Sequence, residues 1–243
     1  MKLVMTKGRL LLIPSALSEN QPISFLPSKT LDEVYSLKHF IAERAKTARH
    51  FLKSIKIPTP MNELVVMEMK KHGMEDYADL LAPCMLGMGV GLLSEAGAPG
   101  VADPGSGVVL AAHRKGIQVV PLVGPSSLLL ALMASGMNGQ QFTFHGYLPK
   151  DNRELVTMLK ELETDSRNTH TTHLFIETPF RNIRMFEALT QILNPQTLLS
   201  ISVEITSEQE NIRTLSISEW IKTKINLDKK PAVFLIYAGQ SSK

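Results

Sequence analysis

Residues 92–107, with the sequence LLSEAGAPGVADPGSG, join an apolar run to a helical pattern through four glycines and two prolines. Glycine lets the main chain approach a ligand closely and adopt positive φ, whereas Pro99 and Pro104 fix their own φ. Loops that leave the carboxyl ends of parallel strands line the ligand crevice of an open sheet. The segment therefore predicts a ligand-binding loop. A glycine-rich connection without a ligand is the alternative.

A second candidate binding element is the sequence GPSS at residues 124–127, which opens an apolar helical pattern. Hydroxyls and free amides at the start of a helix can bind an anion or a polar ligand. Ordinary N-capping by Ser126 or Ser127 is the alternative. The helix that follows is apolar on every side, which predicts that it is enclosed in a core.

Four carboxylates are candidates for acid–base chemistry, and Glu43 is the best candidate for a role on the substrate side. Asp103 precedes a proline, which favours a structural role as the cap of the next turn. Glu177 and Glu204 either act near the chemistry or hold loops through hydrogen bonds to backbone amides. Arg181 is a candidate partner of Glu177 or of a substrate.

A basic face is predicted on a helix over residues 31–55. Its apolar stripe, at helical spacing, consists of Ile41, Ala45, Ala48, Leu52 and Ile55. The basic side chains Lys46, Arg49, His50 and Lys53 lie on roughly the opposite side. This face is either solvated or in contact with nucleic-acid phosphates. Among residues 40–56 only Phe40 and Phe51 are aromatic, which gives base stacking little support.

Several kinds of site are absent from the sequence. There is no glycine-rich loop ending in Gly-Lys-Ser/Thr, and no Gly-x-Gly-x-x-Gly opens a helix after the first predicted strand. The seven histidines and the single cysteine, Cys84, lack metal-ligand spacing, so no metal site is expected. Cys84 is interpreted as a small core residue. His170 and His173 flank two threonines, which predicts a turn with exposed imidazoles.

Composition indicates an ordinary globular chain, because 44% of the 243 residues are apolar, 20% are charged and the formal charge is +3. The length allows one large domain or two small ones. The apolar run at residues 10–13 is too short for a secretory signal, and one cysteine fits a reducing compartment, so a cytoplasmic location is expected. Residues 80–93 are too few to cross a bilayer and are interpreted as a loop followed by a buried strand, so no membrane partner is expected.

Strand and helix patterns alternate, which predicts an α/β fold with mainly parallel strands. The predicted strands are residues 9–14, 90–94, 118–121, 142–146, 173–177, 198–205 and 232–237. The predicted helices are residues 31–55, 61–71, 108–115, 126–135, 153–163, 182–193 and 217–225. A boundary signal at residues 120–125 predicts an N-terminal domain over 1–121 and a C-terminal domain over 122–243.

Six motifs, in order and at conserved spacing relative to one another, resemble those of the tetrapyrrole methylase superfamily. They are SEAGAP (94–99), ADPG (102–105), PLVGPSS (121–127) with the helix after it, FHGYLPK (144–150), FIETPFR (175–181) and VEIT (203–206). Within the superfamily they are most similar to the branch that methylates a ribose 2′-hydroxyl of small-subunit ribosomal RNA. The resemblance covers most of the chain from about residue 9 to residue 237.

The resemblance implies two α/β domains with an S-adenosylmethionine (SAM) cleft between them, and a homodimer. The positions that it implies for cofactor contact are Leu17, Ala96, Gly97, Ala98, Val101, Ser126, Ser127, Glu177 and Ile205. All of them come after predicted strands, which agrees with the placement expected in α/β sheets.

The N-terminal third departs from the family pattern. Residues 14–19 read PSALSE in place of a Pro-Thr-Pro-Ile-Gly-Asn type loop, and residues 42–46 read AERAK in place of Ala-Glu-Asp-Thr-Arg. Glu43, retained from that motif, is the predicted catalytic residue, and Lys46, Arg49 and Lys53 are the predicted RNA contacts. The resulting hypothesis is a SAM-dependent methyltransferase for a ribosomal RNA ribose. A small tetrapyrrole-like acceptor, or a catalytically diverged SAM- or RNA-binding protein, is the alternative.

Overall fold

The computed structural model describes residues 6–18, 25–69 and 77–239. The chain divides into two compact units, Met1–Ser126 and Ser127–Lys243. The sequence places the boundary slightly earlier, after residue 121. Each unit is built around one five-stranded sheet.

The first unit contains an all-parallel sheet with the strand order β3-β2-β4-β1-β5. Its strands are β1 (Arg9–Ile13), β2 (His39–Ala42), β3 (Val65–Glu68), β4 (Val90–Leu93) and β5 (Gln118–Pro121). Its helices are α1 (Ser28–Tyr35), α2 (Ala45–Ser54), α3 (Ala78–Met85) and α4 (Ser106–Arg114). The parallel strands predicted for this half of the chain are confirmed.

The first sheet is covered on both faces, which explains its apolar strands. Leu11 and Phe40 belong to a core cluster on one face, whereas the neighbouring residues Leu10 and Ile41 belong to a second cluster on the other. Parallel strands covered on both sides have nearly continuous apolar sequences because every side chain is buried. β4 fits this pattern, since all four of its residues are buried.

The second unit contains a mixed sheet with the order β6-β7-β10-β8-β9, in which β6 and β7 are parallel and the other pairs antiparallel. Its strands are β6 (Phe142–Tyr147), β7 (Thr172–Ile176), β8 (Leu198–Val203), β9 (Asn211–Ser216) and β10 (Ala232–Tyr237). Its helices are α5 (Ser127–Ser135), α6 (Asn152–Thr169), α7 (Asn182–Ile192) and α8 (Ile217–Trp220). The prediction of mainly parallel strands is wrong here, because a short connection lets β9 return directly beside β8.

The predicted helix over residues 31–55 is wrong, because β2 separates α1 from α2. Phe40 and Ile41 are both fully buried, and Ile41 pairs with Leu92 of β4 instead of continuing a helical stripe. Only the later members of that stripe, from Ala48 onward, are buried on or just after α2. Tertiary burial on both sides of β2 therefore overrides the local helical spacing.

Two other predictions in the first unit are also wrong. Residues 65–68 form β3 instead of the helix predicted over 61–71, of which residues 70 and 71 lie outside the described residues. Residues 78–85 form α3 instead of a loop, although Pro83 lies inside the helix. A helix this short tolerates the missing amide because few of its N–H groups have intrahelical partners in any case.

Helix α5 is buried on one side only, which corrects the expectation that a core encloses it. Ala131, Leu132 and Ser135 are buried, whereas Leu129 is 54% exposed and Met133 78% exposed. A helix that is apolar all round has no intrinsic preference for one face, so the sheet it packs on selects the buried side. In the part of the chain that the structure describes, no helix is long and apolar enough to cross a bilayer.

Candidate functional site

The loops that follow β1, β4 and β5 meet at the carboxyl edge of the first sheet. β1 lies between β4 and β5 and is parallel to both, so all three strands end on the same side. Ligands bind to open α/β sheets at this edge because the loops there diverge from the ends of the strands. The glycine-rich loop predicted from the sequence is the connection after β4.

Two buried serines join the first two of these loops. Ser15 and Gly97 form an isolated antiparallel bridge, in which Ser15 N donates to Gly97 O at 2.9 Å and Gly97 N donates to Ser15 O at 3.2 Å. The Ser15 hydroxyl donates to the carbonyl of Ser94 at 2.9 Å, and the Ser94 hydroxyl donates to that of Gly97 at 2.7 Å. Four hydrogen bonds therefore fix the main chain around Gly97.

Gly97 has φ of 71° and lies where the three loops come together. A Cβ atom at this position would lie 3.2 Å from Leu17 Cδ2 and 3.8 Å from the carbonyl oxygen of Pro125. The structure thus brings Leu17, Gly97 and the segment before Ser126 together, as the sequence predicts for loops at one sheet edge. Ala96 and Val101 are exposed, and Ala98 is half-buried.

The connection after β5 requires glycine at position 124. A Cβ atom there would lie 2.7 Å from Pro14 Cγ and 3.0 Å from Leu26 Cδ2, distances that real side chains avoid. The Thr30 hydroxyl also donates to the carbonyl of Val123 at 2.8 Å. The path into Ser126 is therefore fixed by close packing, and Ser126 is half-buried.

Asp103 organises the second half of the glycine-rich loop. Its Oδ1 accepts a hydrogen bond from Gly105 N at 3.0 Å, which is the turn-capping role favoured by the sequence. Burial raises the pKa of the Asp103 carboxyl, the hydrogen bonds from the backbone of Gly105, Gly100 and Glu95 lower it, and the negative charge of Glu43 raises it. Glu43, which directly follows β2, thus acts electrostatically on the same loop.

The basic residues predicted on one helix face lie on α2. Lys46, Arg49 and Lys53 are all exposed, and none of them forms an ion pair within the described residues. α2 begins just after the carboxyl end of β2, and the Glu68 carboxylate accepts the hydrogen bond of Ala45 N at 2.6 Å. The sequence does not indicate this contact, because β3 is not predicted from it.

The second unit places Glu177 and Ile205 at one edge of its sheet. β7 and β8 are both antiparallel to β10, so they run in the same direction and end on the same side. Glu177 follows β7, and Ile205, which is buried, comes two residues after the end of β8.

Glu177 is held by two partners, as one of the alternatives from the sequence predicts. Its side chain is fully buried, Oε2 accepts a hydrogen bond from Thr178 N at 2.6 Å, and Arg181 Nη2 lies 2.6 Å from Oε1. Glu204 is held differently, because its Oε2 pairs with Lys230 Nζ at 2.6 Å. Both carboxylates of this unit therefore stabilise loops at the strand ends.

Buried polar atoms without hydrogen-bond partners cluster at this edge of the second sheet. Such atoms cost about 1–3 kcal/mol each and mark places where water or a ligand binds. Among the described residues, those near the strand ends include Arg181 Nε, Asn182 Oδ1, Ser202 Oγ, Thr206 Oγ1 and Asn211 Oδ1, whereas Ser200 Oγ and His173 Nε2 lie farther back along their strands. The arrangement can accept a polar ligand.

His173 is buried, which corrects the expectation of an exposed imidazole. It lies in β7, where its Nδ1 is 2.9 Å from His145 Nε2 and its Nε2 is 3.1 Å from Asp165 Oδ2. Burial lowers the pKa of both imidazoles. The prediction failed because β7 begins at Thr172, so His173 lies inside the strand and not in the connection before it. Among residues 6–18, 25–69 and 77–239, no group of three or more His, Cys, Asp or Glu side chains is arranged so that it could hold a metal ion.

No protein family profile matches this chain, but individual relatives do, and three of them are each named ribosomal RNA small subunit methyltransferase I. The protein from Vibrio cholerae is 27% identical over 216 residues, covering 87% of this chain and 72% of the relative. The Synechocystis protein is 30% identical over 192 residues, covering 78% and 66%. The Halalkalibacterium halodurans protein is 26% identical over 238 residues, covering 98% and 78%.

Two solved structures share the fold. The methyltransferase CobJ is 17% identical with a TM-score of 0.60, over 95% of this chain and 99% of that one. Uroporphyrin-III-C-methyltransferase from Thermus thermophilus is 17% identical with a TM-score of 0.56, over 95% and 92%. Both have the two-domain α/β architecture expected from the sequence.

Proposed function

This chain belongs to the tetrapyrrole methylase superfamily of methyltransferases, and on that premise we propose that it uses SAM to methylate a ribose hydroxyl of small-subunit ribosomal RNA. The observation that carries the proposal is the convergence of three loops at Gly97, in a chain whose relatives are named as ribosomal RNA methyltransferases. We also propose that the enzyme is a homodimer in the cytoplasm, where ribosomal subunits are available.

The first unit fits a role in holding SAM. Gly97 lets the loop pack closely against Leu17, and hydrogen bonds with Ser15 and Ser94 hold its main chain in place. The proposed contacts of this unit are Leu17, Ala96, Gly97, Ala98, Val101 and Ser126. Backbone groups in such loops bind polar ligands without needing particular side chains.

The second unit fits as well, through Ser127 at the start of α5 and through Glu177 and Ile205 after β7 and β8. The unpartnered polar atoms at those strand ends are the observation that favours a ligand there. An amino-acid group or an adenine ring carries donors and acceptors that would satisfy them.

The chemistry requires few groups from the protein. When bound, SAM supplies a methyl group on a positively charged sulfur, which a hydroxyl oxygen attacks in line. We propose that the Glu43 carboxylate accepts the proton of that hydroxyl, because a neutral ribose hydroxyl is a weak nucleophile. Asp103 keeps the glycine-rich loop in place beside it through the hydrogen bond from Gly105 N.

We propose that Lys46, Arg49 and Lys53 contact RNA phosphates. The three side chains are exposed on α2, which begins two residues after Glu43. Phosphate contacts of this kind position the RNA without selecting its sequence.

The proposed function is tested by incubating the purified protein with radiolabelled SAM and small ribosomal subunits that lack the modification. We expect label in the RNA, and we expect the labelled linkage to resist alkali, because alkaline cleavage requires a free 2′-hydroxyl. Label in an alkali-sensitive linkage would contradict the ribose assignment, and absence of transfer at saturating SAM would contradict the activity.

Calorimetric titration with SAM separates the remaining alternatives from the sequence. If the protein binds SAM but transfers no methyl group to RNA, a diverged binding protein is favoured. If it then methylates a tetrapyrrole, a small acceptor is favoured instead. Failure to bind SAM would remove every methyltransferase hypothesis.

The substitution Gly97→Ala is expected to raise the Kd for SAM about 10-fold or more. Alanine pays about 1–2 kcal/mol to hold this positive φ, so the variant loop relaxes in the absence of SAM and SAM binding must restore it; about 1.4 kcal/mol corresponds to a tenfold change in affinity. The new methyl group would also press on Leu17, which is 3.2 Å away. Calorimetric titration measures the effect.

The matched control is Gly139→Ala, because a Cβ atom at position 139 has no neighbour within 4 Å. This control is expected to bind SAM like the wild type. Equal affinity in both variants would contradict the place of Gly97 in the SAM site.

Replacing Lys46, Arg49 and Lys53 together with glutamine is expected to flatten the salt dependence of RNA binding. Each phosphate contact contributes about 0.7–0.9 to the slope of log Kd against log salt, so the slope should fall by about 2–3. Filter binding of small ribosomal subunits at several KCl concentrations measures this change.

A control triple variant, Lys160→Gln/Lys222→Gln/Lys224→Gln, removes the same charge from exposed positions in the second unit. An equal fall in slope in this control would show that net charge, and not the α2 face, governs binding.

A further inference from the structure

Exposed aromatic side chains stand at the carboxyl edge of β6 and β7. Phe180 is 79% exposed and Tyr147 59% exposed, and the apolar side chain of Ile183 beside them is 46% exposed. β6 and β7 are parallel, and Tyr147 pairs with Ile176, the last residue of β7. Both aromatic residues therefore lie at the end of the second sheet that also carries Glu177.

Phe180 is held in position by a tight turn. Arg181 N donates to the carbonyl of Thr178 at 2.8 Å, so Pro179 and Phe180 occupy the two central positions of the turn. The proline restricts the turn further, and the ion pair of Arg181 with Glu177 anchors the residue that follows. An aromatic ring presented on a rigid turn loses little conformational freedom on binding.

Tyr147 is aimed outward by a bulge. The register between β6 and β7 shifts between Phe144 and Tyr147, where Gly146 has φ of 66°. A bulge of this kind redirects the side chain that follows it and is common next to binding sites.

A hydrogen bond links the segments that carry the two aromatic residues. Arg184 Nη2, in the first turn of α7, donates to the carbonyl of Lys150 at 2.9 Å and also contacts the side chain of Asn152. Phe180 and Tyr147 are therefore presented by loops that are fixed to one another.

Cations slightly outnumber acids in residues 147–154 and 177–184, the segments that carry these aromatic residues. Lys150, Arg153 and Arg184 are exposed. Of the three acids there, Glu177 is paired with Arg181, and Asp151 is engaged as the cap of α6, accepting hydrogen bonds from Arg153 N at 2.8 Å and Glu154 N at 3.1 Å. Glu154 is the other acid.

We propose that Tyr147 and Phe180, flanked by Lys150 and Arg184, form a stacking surface for an unpaired nucleobase of the RNA acceptor. Single-stranded RNA is bound by aromatic side chains that stack on bases and by cations that contact the backbone. An apolar protein partner would favour a larger contiguous apolar area. The inference rests on the proposed ribosomal RNA acceptor.

The stacking surface is tested by measuring how Phe180→Ala changes the Kd for small ribosomal subunits in a filter-binding assay. Loss of one stacked base weakens binding about 5- to 100-fold, which is the expected rise in Kd. Phe180→Trp keeps a larger aromatic face and is expected to bind about as tightly as the wild type. The Kd for SAM, measured by calorimetry, is expected to stay unchanged in both variants.

Phe142→Ala is the matched control, because Phe142 is 45% exposed and lies in β6 at the end opposite to Tyr147. It is expected to bind subunits like the wild type. Subunit binding that is unaffected by Phe180→Ala would overturn the inference. A Phe180→Ala variant that loses SAM binding or dimerisation, and not subunit binding, would overturn it as well. Because the assay measures binding, a wild-type protein that binds subunits without methylating them would contradict only the proposed function.

Discussion

Replacing Glu43 with glutamine is expected to lower kcat for methyl transfer by about 10²- to 10⁴-fold, the range associated with loss of a general base. Glutamine keeps the size of the side chain and its hydrogen-bonding capacity but cannot accept a proton. The Kd for SAM should stay within about threefold of the wild type, because removing a proton acceptor changes only the transition state. Single-turnover assays with labelled SAM measure the rate of the chemical step.

The position of Glu43 supports this expectation. It follows β2 directly, next to the central strand β4, and its charge acts on Asp103 in the glycine-rich loop.

Glu63→Gln is the control for this experiment, since Glu63 makes only a surface ion pair with Lys38 at 3.7 Å. Its kcat is expected to match that of the wild type. A Glu43→Gln enzyme with wild-type kcat would remove Glu43 from the mechanism.

Replacing Arg181 with methionine is expected to lower the free energy of unfolding of the second unit. Leaving one charge of a buried pair without its partner usually costs about 3–5 kcal/mol, and we expect a value toward the lower end of this range. Glu177 is fully buried and would keep only the hydrogen bond from Thr178 N. Water can reach the Arg181 side, which is 21% exposed, and this limits the loss. Urea unfolding, monitored by circular dichroism, measures the effect.

The double variant Glu177→Gln/Arg181→Met separates the charge effect from lost packing. Removing both charges should recover most of the stability, because no buried carboxylate is then left unpaired. A double variant that is as unstable as Arg181→Met would instead assign the loss to packing around the arginine.

The sequence predicted the elements whose residues carry an unambiguous pattern. β4 is recognisable because all four of its residues are apolar or glycine, and α7 because its buried residues repeat at helical spacing. α6 was also predicted, although it extends to Thr169, beyond the end expected at residue 163. Local periodicity was sufficient where one face, or both, is buried along the whole element.

The missed elements depend on contacts that local patterns do not contain. β2 is four residues long and lies between two helices, so the spacing of its apolar residues cannot be told apart from the helical spacing on either side. β9 is polar and mostly half-buried, and only its pairing with β8 makes it a strand. These elements are set by tertiary context, which outweighs intrinsic propensity in short strands.

Of the candidate site, the sequence predicted the glycine-rich loop, because its backbone conformation requires glycine. Gly97 and Gly100 have positive φ, as their loop required. The hydrogen bond from Ser15 to Ser94 was not predictable, because it joins residues 79 positions apart. Phe180 was overlooked for a similar reason, since neither the exposure of a phenylalanine nor the turn that holds it follows from residue type alone.

The bridge between Ser15 and Gly97 has a consequence for the kinetics of ligand entry. Because Ser15 and Gly97 are hydrogen-bonded to each other, the segments on either side of this bridge cannot swing apart as a lid. Binding to this wall of the site then requires no ordering of the main chain, so the full contact energy is available for affinity. Any gating motion during turnover must come from elements outside this pair of loops.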